Sequence, residues 1–311
     1  MHKKMKEPRI FCDKYKSCSN PLAKRGKLWY NNSVYQEYKI NFAKEKDIAQ
    51  RMDNGLRRML SYTRRAIDDY DMIDEGEVIA VGVSGGKDSL ALLVTLANLA
   101  KFHPKHFSVV GIAVDMGWEG TDYSAIQRLC DDLGVPFYIE PSEITHIIFD
   151  VRKEKNPCSL CAKLRRGTLN SAAVKHGIKK IALGHHYDDV VETFMLNLFY
   201  EGRLGAFQPV TFLSRMDVTL IRPMIYAPEK DIRYFARRAE LPVLESKCPA
   251  DGKTERENMK QFLRDLDKNN KGLKHRIFGA LQKSGIDGFR ETHYNTYDDP
   301  KSASCEDCTD E

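Results

Sequence analysis

The sequence predicts an α/β protein: a doubly wound parallel sheet with a helical segment before it and helices after it. Three features of the chain carry this. Short, continuous apolar runs alternate with amphipathic helical stretches; the runs lie too far apart for hairpins; and glycine turns separate run from helix.

About the first thirty residues mix Cys, Lys, Pro, Asn and Ser with no sustained period and read as an extended arm. From Tyr38 to Asp71 the pattern is helical, with Ile48, Met52, Leu56, Met59 and Leu60 recurring at three- and four-residue steps. Arg57, Arg58, Arg64 and Arg65 make this helix basic. They could face an RNA backbone, and a solvated helix face accounts for them equally well.

Glu77 to Val83 then reads as a buried strand, Ser84-Gly85-Gly86 as a turn, and Leu90, Leu92, Leu93, Leu96 and Leu99 as the apolar content of the next helix. Phe107 to Asp115 and Pro136 to Glu140 are the second and third strands, separated by a helix over Tyr123 to Leu133. Lys180 to Gly184 is the fourth, feeding a helix that carries Val190, Val191, Phe194, Met195 and Leu198. Val218 to Arg222 is a further strand, and Pro228 opens a helix over Glu229 to Glu240. Pro242 to Glu245 reads as a short edge strand leading to Cys248, with two more helices around Arg256 to Leu266 and Lys274 to Lys283. The segments so defined are an N-terminal arm and basic helix (residues 1–75), a nucleotide-binding domain with its cysteines (76–250), C-terminal helices (251–290) and a polar tail (291–311).

The composition is that of a globular chain, with 311 residues, 42% hydrophobic and 30% charged. The longest nearly apolar stretch, Leu90 to Ala100, falls short of the roughly 20 residues that span a bilayer, so no membrane association is expected. The basic N-terminus has no apolar core behind it, so the expected location is cytoplasmic. A net charge of +5 permits a polyanionic partner without demanding one. In a reducing compartment, eight scattered cysteines favour metal or catalytic roles where they cluster.

The strongest chemical signal is Ser84-Gly85-Gly86-Lys87-Asp88-Ser89, between a buried strand and an apolar helix. Glycines let the backbone approach an anion, while serine hydroxyls and free N–H groups at the helix N-terminus bind phosphate oxygens. The GxxxxGK[ST] loop of the ordinary NTPases is absent. A second signal is Cys158-Ser159-Leu160-Cys161, followed by Lys163, Arg165 and Arg166. Two thiolates at this spacing can close on one metal, and Cys248 beside the expected edge strand is the natural third. Three thiolates could hold a [4Fe-4S] cluster and leave one iron open, whereas a structural zinc site would want a fourth ligand.

Gly184-His185-His186-Tyr187-Asp188-Asp189 ends a strand and begins a helix, the position at which open α/β sheets place ligands. Asp189 is the candidate for a catalytic or magnesium-orienting role and Asp188 for a helix cap, with His185 and His186 positional. Asp115, at the end of the second strand, is either an adenosine contact or a turn aspartate. Cys130 shares a helix face with Ile126, Leu129 and Leu133 and reads as a small buried hydrophobe. Cys12, Cys18, Cys305 and Cys308 are enough thiols for one zinc site joining the two ends, against free tail thiols.

The loop SGGKDS resembles that of the N-type ATP pyrophosphatases, the PP-loop superfamily, which split ATP between the α and β phosphates. With CSLCAKLRRG, LGHHYDDVVETFMLNLFYEGRL, RPMIYAPEKDIRYFA and the later lone cysteine in the same order, the chain resembles the tRNA 2-thiocytidine synthetase (TtcA) family over roughly Glu77 to Leu266. The resemblance implies an adenine-nucleotide hydrolase-like α/β fold and ATP-dependent, magnesium-assisted insertion of sulfur at a cytidine carbonyl in a tRNA anticodon loop. It implies ATP on residues 84–89 with Asp115, Gly184 and Asp188 nearby, a cluster on Cys158, Cys161 and Cys248, and charge neutralisation by Lys87. Asp88 and Asp189 would serve the nucleotide chemistry. Arg165 or Arg166 would stabilise the adenylated base or hold RNA phosphate, with Lys163 beside them. The sulfur would come as sulfide or from a cysteine desulfurase, and a homodimer stays open. The rival readings are a related 2-thiouridine synthetase, a lysidine-synthase-like adenylating ligase and a non-catalytic nucleotide- or RNA-binding relative.

Overall fold

The structure is a computed structural model that describes residues 46–153, 157–249 and 254–292. Cys12, Cys18, Cys305 and Cys308, and with them the expected terminal zinc site, lie outside the described residues.

In chain order the elements are α1 (Lys46–Asp69), β1 (Glu77–Val83), α2 (Lys87–Leu99), β2 (Phe107–Asp115), α3 (Ser124–Leu133), β3 (Phe137–Pro141), a π-helical turn (His146–Val151) and α4 (Pro157–Lys175). They continue with β4 (Lys180–Ala182), α5 (Tyr187–Leu196), a second π-helical segment (Asn197–Glu201), β5 (Val210–Leu213), β6 (Val218–Ile221), α6 (Glu229–Arg238), α7 (Glu255–Asn269) and α8 (Leu273–Ser284).

The sheet runs β3-β2-β1-β4-β6-β5. β1, β2, β3, β4 and β6 are mutually parallel, with Val81 registered between Gly111 and Ala182. β5 pairs antiparallel with β6, a departure from the all-parallel expectation. Its connection to β6 spans only Ser214 to Asp217, too short for the crossover that a parallel pair requires. Strand order reverses at β1, so the β1 and β4 ends flank the switch point where such sheets bind ligands.

α2 is buried along its whole length from Ser89 to Leu99 because α1 and α6 cover it on the side away from the sheet. A helix apolar on all sides suits that position. Its two interior polar side chains bond back to the helix, Thr95 Oγ1 to the Ala91 carbonyl at 2.6 Å and Asn98 Nδ2 to that of Val94 at 2.8 Å. On the opposite face, Leu169, Ala172 and Ala173 of α4 pack with Val110, Ile112, Ile181 and Leu220 of the strands. Residues 242–245 do not form the expected edge strand. They run as coil across the end of β1, with the Leu244 N–H donating to the Gly85 carbonyl at 2.9 Å. Proline at 242 has no N–H to give to a ladder.

Candidate functional site

The loop after β1 is fixed by its own small residues. Gly85 has a φ of +82°, and a Cβ there would lie 2.9 Å from Leu244 Cδ1, so a side chain is excluded by both conformation and space. The Ser89 hydroxyl accepts the Ser84 N–H at 3.1 Å and donates to the Gly86 carbonyl at 2.9 Å. Ser89 is buried, so it shapes the loop from within while Ser84 lies exposed at its rim. Gly86 is the N-cap of α2 and, among the described residues, no side chain caps it, which leaves the positive end of the helix facing the loop.

Behind the loop is a charge network. Lys87 Nζ lies 3.1 Å from Asp88 Oδ2 and 3.2 Å from Glu229 Oε1. Burial works to lower its pKa, but the two carboxylates outweigh burial and hold it raised. Glu229 also receives Lys260 at 2.8 Å; despite burial, these cations hold its carboxyl at about 2. Asp88 Oδ1 is buried and, among the described residues, has no hydrogen-bond partner; His186 Nε2 lies 3.8 Å from it.

The β4 turn approaches this loop through Gly184, where a Cβ would lie 3.1 Å from the Ser89 backbone nitrogen and 3.2 Å from the Asp88 carbonyl carbon. Both neighbours are backbone, so Gly184 is required for close approach. At the start of α5 both aspartates hold helix N-termini, Asp188 as expected of a cap although at a different helix. Asp189 Oδ2 accepts the His186 N–H at 3.0 Å while His186 Nδ1 accepts the Asp189 N–H at 3.4 Å, a reciprocal cap of α5. Asp188 is buried and caps a different helix: it accepts the Glu229 N–H of α6 at 2.8 Å and Lys274 Nζ at 2.6 Å. Burial opposes its ionisation, yet Lys274 and the Glu229 N–H hold its pKa low. Asp115 shapes a turn, its Oδ1 accepting the Gly117 N–H at 3.1 Å. His185 lies against the Phe207 ring, centroids 4.8 Å apart, and burial, with the Arg222 charge nearby, lowers its pKa to about 4.

A cavity of about 610 Å³ opens beside this loop. Ser84 and Gly86 line it, as do Cys158, Cys161 and Arg165 of α4, Cys248 on the coil past Leu244, and Trp118 and Tyr123 from the segment after β2. Burial raises the Cys161 thiol, the Cys248 and Cys158 sulfurs add to the rise, and Arg165 opposes them. The three soft donors thus share one space with the expected nucleotide loop, and such a set suits an iron-sulfur cluster. Among the described residues no three His, Cys, Asp or Glu side chains are drawn to coordination distance. Cys130 is buried elsewhere, its thiol pushed up to about 12 by burial.

The basic residues divide. Arg58 pairs with Asp231 at 3.1 Å, Arg64 lies 3.5 Å from Asp68, and the Arg65 guanidinium sits 4.4 Å over the Tyr226 ring. Arg58 and Arg65 therefore hold α1 to the rest of the fold, instead of forming the exposed face that the sequence suggested. Arg57, Lys163 and Arg166 are exposed. Sequence reasoning missed Glu229, Lys260, Lys274 and Arg256, since each reads as surface charge on an amphipathic helix and only tertiary packing brings it to the site.

Residues 56–266 match the PP-loop domain model, so the fold and the loop define a PP-loop ATP-binding protein. Curated relatives narrow this further. The chain is 38% identical over 232 residues to the tRNA-cytidine(32) 2-sulfurtransferase of Geotalea uraniireducens, covering 74% of this chain and 92% of the relative. It is 38% identical over 243 residues to that of Methylococcus capsulatus, covering 78% and 83%. Among solved structures, the U34-tRNA thiolase NcsA of Methanococcus maripaludis with its [4Fe-4S] cluster superposes with a TM-score of 0.60 at 25% identity, over 73% of this chain and 77% of that one. The chain belongs to the tRNA-cytidine(32) 2-sulfurtransferase family, and it is an enzyme.

Proposed function

We propose that this enzyme is an ATP-dependent tRNA sulfurtransferase that activates the carbonyl of an anticodon-loop cytidine as an adenylate and replaces its oxygen with sulfur, giving 2-thiocytidine. One observation carries the reading: the nucleotide loop and all three cysteines open on one cavity, so activation and sulfur transfer can share a bound base. The carbonyl oxygen attacks the α phosphorus, pyrophosphate leaves, and the oxygen later departs with AMP as sulfur takes its place. The uncapped end of α2 and the protonated Lys87 favour negative charge on the phosphates. Magnesium accompanies the nucleotide, and the unpartnered Asp88 Oδ1 is the oxygen that suits it. Cys158, Cys161 and Cys248 would hold the [4Fe-4S] cluster, which supplies an iron able to carry sulfide. Arg165, lining the same cavity, balances negative charge beside the thiolates and the activated base.

Anaerobically reconstituted protein incubated with ATP, sulfide and tRNA tests this. The expected products are AMP, pyrophosphate and 2-thiocytidine in the nuclease digest. The neighbouring U34-tRNA thiolase favours a second target, so 2-thiouridine in its place would reassign the base. AMP formation without a thionucleoside would favour an adenylating ligase.

A further inference from the structure

We propose that Phe199 and Tyr200, where the end of α5 meets α7, form a stacking platform for unpaired anticodon-loop bases. The proposal deepens the tRNA reading above and rests on it. Both rings are large and apolar yet 55% and 64% exposed, on the π-helical segment that extends α5. π-helical turns are uncommon and concentrate at functional sites. This one carries the pair beyond the end of α5, where each finds a partner on α7. Phe199 meets Phe262 edge to face with centroids 5.9 Å apart, and the Tyr200 hydroxyl donates to Glu255 at 3.0 Å. Rings held in this way lose little freedom on binding, and an exposed aromatic face is the usual receptor for a splayed base.

The platform continues into the site described above. Glu255, which holds Tyr200, follows Thr254, and Thr254 lines the cavity. Arg256, the next residue, anchors α7 to α5 through Asp189 at 3.3 Å and the Thr193 hydroxyl at 3.0 Å. A base reaching the cavity must leave its stack, and its neighbours in the loop lose stacking partners with it. Phe199 and Tyr200 would replace those partners, linked to the cavity lining through Glu255, which holds Tyr200, and its neighbour Thr254.

An anticodon stem-loop RNA carrying 2-aminopurine in its loop tests the platform. Wild-type protein should quench the fluorophore on binding. Tyr200→Ala and Phe199→Ala should weaken binding about tenfold each and abolish most of the quenching, and Tyr200→Phe should restore both. Should Tyr200→Ala lower the melting temperature, Tyr200→Leu, which keeps apolar volume without a ring, reads the same two quantities. Unchanged affinity and quenching in the alanine variants overturns the platform, as does a change confined to the oligomeric state in sedimentation. Wild-type protein that fails to bind the RNA at all would strike the tRNA reading itself, a result separable from failure of the platform.

Discussion

Cys161 sits between two other sulfurs and an arginine, whereas Cys130 is enclosed by hydrocarbon, and the same side chain therefore has two fates in one chain. Cys158→Ala, Cys161→Ala and Cys248→Ala should each lose thiolation and the brown chromophore of anaerobic protein. Cys130→Ala should keep both at a packing cost of about 1 kcal/mol. Asp88→Ala should stop pyrophosphate release while leaving iron content intact, because the loop and the thiolates serve separate half-reactions. Glu192 yields a pH prediction. Burial and the nearby Asp189 raise its carboxyl from 4.5 to about 7, and Arg256 at 3.6 Å offsets only part of this. Between those values the unfolded chain releases a proton that the native state keeps, so stability falls as pH rises through that window. Glu192→Gln should remove that decline, worth on the order of 2–3 kcal/mol at neutral pH. Melting curves of both proteins at pH 5 and pH 7 check it.

At the scale of elements, legibility followed the strength of local pattern. β1, α2 and β2 are readable because continuous apolar runs and a glycine turn leave no competing period, and the bounds of the two strands match the expectation. α4 is not: Cys158, Cys161, Lys163, Arg165 and Arg166 dominate its first turns, and its first buried side chain is Leu169. Residues 242–245 misled in the other direction, because Val243 and Leu244 have strand character but the Val243 N–H donates to the Leu241 carbonyl and the Leu244 N–H to that of Gly85. The cysteines were legible as a set, while the reason Cys248 reaches the cavity was not, since a coil and not a strand delivers it. The roles of Asp188 and Asp189 were likewise hidden, because the helix that Asp188 caps starts forty-one residues away. The α1 contacts give a test at this scale. Arg65→Ala removes a cation over the Tyr226 ring and should cost about 1–2 kcal/mol, whereas Lys163→Ala, on an exposed position, should stay within about 0.5 kcal/mol. Chemical denaturation of the two variants compares them.

For the whole molecule, α6, α7 and α8 complete a site that the sheet begins, through Glu229, Lys260 and Lys274. Nucleotide binding should therefore stabilise the entire fold. ATP at 100 times its Kd should raise the unfolding free energy by about 2.7 kcal/mol, and Asp88→Ala should lose most of that gain. Thermal shifts with and without ATP read it directly.

The pairing of Arg58 with Asp231 joins residues 173 positions apart, and so ties the first described helix to a partner made much later. Ribosomes add about 5–20 residues each second, so α1 leaves the exit tunnel roughly ten to thirty seconds before α6 exists. During that interval the outer face of α2 has α1 but lacks α6, and β1 has β2 for a neighbour but lacks β4 until residues 180–182 are made. The nascent chain thus presents a greasy helix and an open strand edge to its surroundings for longer than small domains take to fold. A cell making this enzyme shelters that half-built sheet until α6 has been made.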